Sequence, residues 1–423
     1  MHSIYYDKVK YFEDAIQIAY REDSLESNRL VATVHGYRFN KDGCWFITSI
    51  QSDSNTIDFD AAKAKAMKYL LDRSCGGFVE ATLFKGYIEI GKESPQEDEV
   101  AELVRNLCDE AKTLHNVKCE IIVGVKTIER KIARDNNEMA HEVRRIVEIE
   151  IGLLKLSDLT SQIIATSYTA IIPWTREHVT KTIDVVFRET VNKLNTYSRA
   201  RTLKPYQYGR ANVVLGYEAA AALIHEISHL LEADHLHYGQ KLIGSMIAPK
   251  DFNLYDNPHD YDSTTIRFFD DESVSTRKRT LIEDGIVRDL HHTRSTASIY
   301  GSEPGSAYGL FQRPTPLHTT LILKPGDWKE TEMISETRNG FYIGGIAVAT
   351  LERGYIRIIP DASFIIEGGE LSEAVRIREV KIPLVNLKTI NAISRTVRTR
   401  VSREKEWIVA EKAPYVRLEA FVA

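Results

Sequence analysis

The chain has 423 residues, of which 43% are hydrophobic and 27% charged, and its formal net charge is -5 at pH 7. This length and composition predict a folded protein of two or three domains and argue against a disordered chain. The small negative charge argues against nucleic acid as a partner, and the lack of an apolar run of about 18 residues argues against a membrane span.

The cysteines indicate a reducing compartment. All of them lie in the first third of the chain and form no CxxC pair: Cys44, Cys75, Cys108 and Cys119. Reduced thiols in a cytosol are the expected state of such a set. The N-terminal segment also lacks the basic and then apolar pattern of a secretory signal. The sequence therefore predicts a cytoplasmic protein.

The first half predicts a mixture of helices and strands. The turn residues Lys41-Asp42-Gly43 predict a hairpin over residues 29–51. Apolar periodicity predicts helices over 58–73, 97–114 and 175–200, and strands over 118–154 that turn at Asp135-Asn136-Asn137. We therefore expect an N-terminal α/β domain of residues 1–210.

The second half predicts mainly strands. After a helix over residues 216–234, short β-rich segments are separated by Asp-Gly, Pro-Gly and Gly-Gly turns. This pattern predicts a β-rich domain of residues 211–423 that carries the helix, and so an α+β fold. The acidic cluster of Asp270, Asp271 and Glu272 precedes a predicted hairpin, and we interpret it as a solvated loop.

The helix carries the segment His225-Glu226-Ile-Ser-His229. Because a helix advances about 100° per residue, His225 and His229 lie about 40° apart on one face, where both imidazoles can bind one metal ion. Glu226 stands where zinc hydrolases with this motif keep their general base. The alternative is that both histidines are polar helix residues in a structural hydrogen-bond network.

A catalytic zinc site usually has a third protein ligand. His235 stands ten residues after His225, as in metzincin proteases, but Glu232 replaces the glycine at which those proteins break the helix. On an unbroken helix His235 points about 120° away from His229. Glu232 is better suited to accept a hydrogen bond from His229, although it stays a candidate ligand.

The order of the C-terminal segments resembles the TldD/PmbA family of metalloproteases. These segments are "LIHEISHLLEAD", "FFDDESVSTRKRTLIEDGIVRDLHHTRSTAS", "RPTPLHTTLILKPGDWKETEMI" and "GFYIGGIAVATLERGYIRIIPDASFIIEGGEL", and "GYRFNKDGCWFITSIQ" is similar to the opening domain. The resemblance covers nearly the whole chain and points to the TldD branch, which carries the histidine motif. It implies a zinc-dependent peptidase that forms a homodimer or a heterodimer with a paralogue. The N-terminal domain would then take part in dimerisation and form one wall of the cleft.

Two departures from the family concern the metal. TldD proteins usually have three residues between the glutamate and the second histidine, whereas this chain has two. The family's third ligand is a cysteine in a Cys-Gly-Lys segment, and the matching stretch has Ser402 as its nearest counterpart. The candidates for the third position are then Glu232, His235 and His318. The alternative for His318 is an ordinary surface or strand-end histidine.

These observations predict a zinc-dependent peptidase that hydrolyses unfolded or short peptides. His225 and His229 would bind Zn²⁺, Glu226 would act as the base, and an extended peptide would add beside a sheet edge. The alternative is a non-catalytic peptide-binding or scaffold member of the family that has lost a complete metal site. A metal hydrolase acting on a non-peptide amide is a third hypothesis.

Overall fold

The computed structural model of the protein describes residues 4–52, 56–92, 95–114, 116–134, 138–156, 162–234 and 241–423. The N-terminal strands are β1 (Tyr5–Arg21), β2 (Ser24–Lys41), β3 (Cys44–Gln51), β4 (Gly86–Ile90), β5 (Val117–Arg134), β6 (Met139–Leu156) and β7 (Gln162–Ile171). They form one sheet in the order β3-β2-β1-β5-β6-β4, in which β7 also pairs with β6.

The hairpin predicted around Lys41-Asp42-Gly43 is confirmed. Lys41 pairs with Cys44, and Asp42 and Gly43 both have positive φ angles, 51° and 82°. Two successive positive φ values match the right-handed twist of the flanking strands, and Asp-Gly adopts them readily. The predicted turn at Asp135-Asn136-Asn137 lies outside the described residues.

Three helices accompany this sheet: α1 (Phe59–Leu70), α2 (Glu97–Lys112) and α3 (Arg176–Arg199). The side chains of Asp58 and Thr175 accept backbone hydrogen bonds at the N-termini of α1 and α3, which accounts for where these helices begin. The apolar faces of α2 and α3 pack against β5, β6 and β7 in one buried core. The opposite face of the sheet borders an open concavity of about 660 Å³.

The expectation of reduced cysteines is wrong in this structure. Cys44 is bonded to Cys75, and Cys108 is bonded to Cys119. The first bond joins the start of β3 to the segment after α1, and the second joins α2 to β5. Folding brings together cysteines that are 31 and 11 residues apart in the sequence, which no CxxC spacing announces. The cytoplasmic location stays a prediction, without the support of free thiols.

The rest of the chain is rich in short strands. They are β8 (Arg201–Thr202), β9 (Gly209–Leu215), β10 (Leu254–Asp256), β11 (Arg279–Glu283), β12 (Ile286–Val287), β13 (Ala307–Tyr308), β14 (Thr315–Pro316), β15 (Thr320–Leu323), β16 (Asn339–Glu352), β17 (Tyr355–Glu367), β18 (Glu370–Arg376), β19 (Val380–Pro383), β20 (Ala392–Ile393), β21 (Arg398–Glu404), β22 (Trp407–Ala413) and β23 (Val416–Val422). The helices are α4 (Tyr217–Leu230), α5 (Arg294–Tyr300) and α6 (Glu330–Thr337), and short 3-10 turns occur at Pro205–Gln207 and Leu384–Thr389.

Two sheets enclose α4. Strands β16, β9, β23, β19 and β17 pair in a closed ring, because β17 also pairs with β16. Strands β12-β11-β10-β15-β22-β21 form a second sheet, in which β15 and β22 run parallel. Helix α4 contacts β16 and β17 of the ring and β15, β21 and β22 of the second sheet. The helix that carries the histidine motif therefore lies in the core of the C-terminal half.

The acidic cluster at residues 270–272 is buried, so its interpretation as a solvated loop is wrong. Asp271 Oδ1 accepts hydrogen bonds from Arg130 of β5 and, at 2.6 Å, from Arg267. Arg38 of β2 donates to the backbone oxygen of Asp271 across 2.6 Å and forms a buried ion pair with Asp7. The cluster is the polar centre of the junction between the N-terminal sheet and the C-terminal half.

The expected α+β fold with a β-rich C-terminal part that carries the motif helix is confirmed. Strand β9 spans the boundary expected at residue 210, and the division into two domains stays a prediction. In the described part of the chain, no helix is both long enough and apolar enough to cross a membrane.

Candidate metal centre

Helix α4 begins at a point of close backbone approach. A Cβ atom on Gly216 would lie 2.7 Å from Tyr342 Oη and 3.1 Å from the carbonyl oxygen of Ile343, so only glycine fits there without displacement. The helix ends at Leu230, four residues before the predicted end. Ala233 N donates to His291 O instead of continuing the helix, and His291 N donates to Leu231 O. The structure describes residues up to 234 in this region, and His235 lies outside the described residues.

The two motif histidines turn their Nε2 atoms toward each other. The distance between His225 Nε2 and His229 Nε2 is 3.2 Å. Two nitrogen ligands of one tetrahedral zinc ion, each about 2.05 Å from the metal, stand ~3.3 Å apart. The pair therefore has the spacing that a shared metal ion requires.

A third donor reaches the same point from strand β21. Glu404 Oε2 lies 3.6 Å from His225 Nε2 and 4.0 Å from His229 Nε2. These separations exceed the ideal edge of a zinc tetrahedron by less than 1 Å, a gap that rotation of the Glu404 side chain can close. Two imidazoles and one carboxylate are a known ligand set of catalytic zinc, so the residues present fit the ion.

Glu404 is a residue that sequence reasoning missed. It stands two residues after Ser402, the counterpart of the family's cysteine, and residues i and i+2 of a strand share a face. Ser402 itself donates to Glu411 Oε1 across 2.9 Å. A carboxylate two residues after that serine, on the same face of the strand, is the sequence feature that points to Glu404.

The other third-ligand candidates lie elsewhere around the histidines. Glu232 Oε1 accepts a hydrogen bond from His229 Nδ1 at 2.7 Å, so it contacts the ring nitrogen that does not face His225. His318 is fully buried, so its interpretation as a surface histidine is wrong. The His318 ring stands beside His225, 4.9 Å away between centroids, and His318 Nε2 lies 3.4 Å from Glu411 Oε1. Neither the Glu232 nor the His318 side chain contacts the point between His225 Nε2 and His229 Nε2.

His225, His318 and Glu411 form a second group of convergent donors. We interpret this group as a hydrogen-bond network, because His225 Nδ1 and Glu411 Oε1 are 2.7 Å apart, closer than two ligands of one ion normally stand. Arg400 Nη1 also donates to Glu411 Oε2 across 3.3 Å, which disfavours a further cation there.

Glu226 faces the same cleft as His229 and Glu404, two of the three candidate metal ligands. It lines a cavity of about 490 Å³ together with His229, Glu232 and Glu404, and the other walls are Asp234, residues 315–317, residues 349–351, Lys405 and Trp407. Glu226 is buried because α4 lies in the core, and its side chain borders this cavity. A carboxylate beside the metal ligands and next to an open cavity has the placement that a general base requires.

The carboxylates around the two histidines favour the protonated imidazoles. Burial lowers the pKa of His225, but the hydrogen bonds with Glu404 and Glu411 outweigh this effect and raise it to about 9. Burial likewise opposes protonation of His229, and its hydrogen bond to Glu232 raises the pKa overall. The hydrogen bond from His225 lowers the pKa of Glu404. A metal ion bound here replaces protons on the two histidines.

A helix with His-Glu-x-x-His and a convergent third carboxylate is typical of metal-dependent hydrolases. The sequence profile described as the PmbA/TldA metallopeptidase C-terminal domain matches residues 208–423, just over half of the chain. The chain belongs to the PmbA/TldD family of metallopeptidases.

Relatives in archaea carry the corresponding names. A protein of Archaeoglobus fulgidus named a metalloprotease is 25% identical over 82% of this chain and 80% of its own length. A Saccharolobus solfataricus protein named a zinc metalloprotease TldD homolog is 28% identical over 44% of this chain and 43% of its own length. The matches to metalloproteases of Methanocaldococcus jannaschii and Methanothermobacter thermautotrophicus span 42% and 45% of those proteins, less than half of each.

Solved structures share the whole fold. TldE from Thermococcus kodakarensis superposes with a TM-score of 0.75 at 15% identity and covers 99% of this chain and 96% of its own. A structure from Thermotoga maritima gives a TM-score of 0.78 at 17% identity, with the same coverage. At these identities the similarity concerns the fold.

Proposed function

We propose that this chain is a zinc-dependent peptidase that hydrolyses unfolded or short peptides. The observation that carries the proposal is the convergence of His225 Nε2, His229 Nε2 and Glu404 Oε2 beside the cleft that Glu226 lines. Membership of a metallopeptidase family and the names of the archaeal relatives support the same class of activity.

His225, His229 and Glu404 would hold the zinc ion. When bound, zinc polarises a substrate carbonyl and lowers the pKa of water toward neutrality. Glu226 accepts a proton from the attacking water on its carboxylate and then delivers it to the nitrogen of the leaving amine. Glu232 holds His229 through its Nδ1 atom, so that Nε2 stays directed at the ion.

The edge of β16 offers a binding surface for an extended peptide. Residues 341–343 of β16 pair with β9, but along residues 345–352 the described strands pair with β16 only through β17. Residues 349–351 of this free edge line the cleft beside Glu226 and His229. Backbone hydrogen bonds to such an edge bind a peptide with little regard for its side chains, which suits unfolded or short substrates.

The decisive experiment combines metal content with hydrolysis. Protein purified without chelator should contain about one zinc per chain, and the His225→Ala, His229→Ala double variant should contain none. The wild type should cleave members of a mixed peptide library, whereas Glu226→Gln should keep the zinc and lose cleavage. The matched control Glu419→Gln changes a partly exposed carboxylate paired with Arg210, outside the site, and should behave as the wild type.

The outcomes separate the alternatives. Bound zinc with no peptide cleavage, but with hydrolysis of other amides, would indicate a non-peptide amidase. No zinc even after zinc is supplied would favour the scaffold protein without a complete metal site. Cleavage that survives in Glu226→Gln would disprove the proposed role of that carboxylate.

We also propose that the protein works as a dimer, either of two copies or with a paralogue, in the cytoplasm. A dimer of this chain alone would appear as a doubled mass in light scattering of the purified protein. A monomer that pairs only after a paralogue is added would identify the heterodimer.

A further inference from the structure

We propose that Glu411 is a positioning residue that holds His225 in the one orientation and tautomer able to bind zinc. This inference rests on the zinc site proposed above and adds a second layer of residues behind it. Glu411 lies on β22, 186 residues after His225 in sequence, and its side chain is completely buried. A buried carboxylate in the C-terminal core needs partners that compensate for its charge.

The contacts of Glu411 converge on the ring edge of His225 that faces away from the metal. His225 Nδ1 donates to Glu411 Oε1 across 2.7 Å. Since the ionised carboxylate only accepts hydrogen bonds, this contact keeps the proton on Nδ1, and Nε2 is the nitrogen that gives up its proton to a metal ion. Nε2 is the atom that points toward His229 Nε2 and Glu404, so the tautomer is the one that a metal ligand needs.

Strand β21 fixes the position of the carboxylate. Ser402 Oγ donates to Glu411 Oε1 at 2.9 Å, and Arg400 Nη1 donates to Oε2 at 3.3 Å. Both residues stand opposite β22, where Ser402 pairs with Val409 and Arg400 pairs with Glu411. The same face of β21 also carries Glu404. One strand therefore positions both Glu404, the third donor, and Glu411, the carboxylate that orients His225.

A chain of hydrogen bonds extends from Glu411 into the core. The ionised Glu411 carboxylate can only accept hydrogen bonds, and this decides which atom donates in each bond of the chain. His318 Nε2 donates to Glu411 Oε1 at 3.4 Å, Ser228 Oγ donates to His318 Nδ1 at 3.1 Å, and His291 Nε2 donates to Ser228 Oγ at 3.2 Å. Each member then holds one proton for its neighbour, and all are buried. Ser228 lies on α4 between the two histidines of the motif, so the chain also fixes the helix.

The test measures zinc affinity with zinc alone as the probe, by competition with a chromophoric chelator. Glu411→Gln keeps the size of the side chain but removes the charge, and its amide can present a donor to His225. We expect zinc binding 10- to 100-fold weaker than in the wild type, the range for loss of such a contact. Glu411→Asp keeps the charge but is one methylene shorter, and the same loss is expected because the carboxylate no longer reaches Nδ1.

The matched control is Glu379→Gln, which changes a buried carboxylate of the same half that is paired with Arg357 at 2.8 Å outside the site. It should keep the wild-type zinc affinity. Cobalt substitution adds a second readout, since a misplaced imidazole changes the visible absorption of the bound ion. Wild-type affinity and spectrum in folded Glu411→Asp would overturn the inference. Failure of the wild type itself to bind zinc would instead contradict the proposed function.

Discussion

Arg403 Nη2 donates to Glu148 Oε2 across 3.0 Å and thereby joins the strand that carries Glu404 to the N-terminal sheet. The guanidinium also lies over the ring of Tyr168, 5.1 Å from its centroid. Because successive side chains of a strand point to opposite faces, β21 directs Glu404 toward the metal centre and Arg403 toward β6 and β7. The N-terminal sheet therefore helps to place Glu404, the proposed third metal donor.

Breaking this contact should weaken the metal site slightly. Arg403→Met keeps an apolar side chain beside Tyr168 and loses the ion pair, and a pair whose arginine is half-exposed contributes about 1 kcal/mol. We expect up to about fivefold weaker zinc binding. A double-mutant cycle with Glu148→Gln measures the coupling. Strict additivity of the two single changes would show that the pair does not act on the site.

Removal of the third donor should have a much larger effect. Glu404→Gln replaces an anionic ligand by a neutral amide, and we expect zinc affinity to fall by more than about 100-fold, beyond the range for an outer contact. Glu404→Cys restores an anionic donor of the type that the resemblance implies for the family, and it should recover part of the affinity. Chelator competition provides both values. Equal affinity of Glu404→Gln and the wild type would exclude Glu404 as a ligand.

Asp271 should stabilise the junction between the two halves. Asp271→Asn removes the charged carboxylate that the buried guanidinium groups of Arg130 and Arg267 share, and breaking a buried ion pair typically costs about 3–5 kcal/mol. Denaturant unfolding at pH 7 measures this loss. The control Asp14→Asn removes a mostly exposed ion pair with Arg29 and should cost at most about 1 kcal/mol. Similar losses in both variants would contradict the special role of the buried cluster.

The stabilisation by Asp271 should also depend on pH. Burial favours the protonated form, but Arg267 and Arg130 outweigh it and lower the pKa of Asp271 to about 2. A carboxylate whose pKa is lower in the folded than in the unfolded state stabilises the fold above the unfolded value, near pH 4, and loses this contribution as the pH falls through 2. The difference between wild type and Asp271→Asn should therefore shrink between about pH 4 and pH 2. A constant difference across that window would argue against an ionised Asp271.

The disulfides predict a simple thiol count. Alkylation of the unfolded protein without reductant should modify none of the four cysteines, and alkylation after reduction should modify all four. Loss of a bond that closes a short loop, as between Cys108 and Cys119, typically costs about 2–4 kcal/mol, so reduction should lower the denaturation midpoint. Four modified cysteines without reductant would show that the protein as purified is reduced.

Local sequence was sufficient for the elements and for the first part of the site. Asp42-Gly43 predicts its hairpin because the required backbone angles are a property of those two residues. His225 and His229 share a helix face because the period of the helix fixes their angle, whatever surrounds it. The sequence places the end of α4 four residues too far along the chain. The helix ends earlier because Ala233 N donates to His291 O, which lies in a segment about 60 residues further on.

The tertiary structure decided the rest of the site. Glu404 and Glu411 lie on the hairpin of β21 and β22, and this hairpin reaches the core beside His225 because β22 pairs with β15, a segment about 90 residues earlier in the chain. The cysteine pairs and the burial of residues 270–272 follow from the same cause. Periodicity along the chain determines which side chains share a face, whereas the packing of distant segments determines which charges are buried together, and that packing assembles the proposed metal centre.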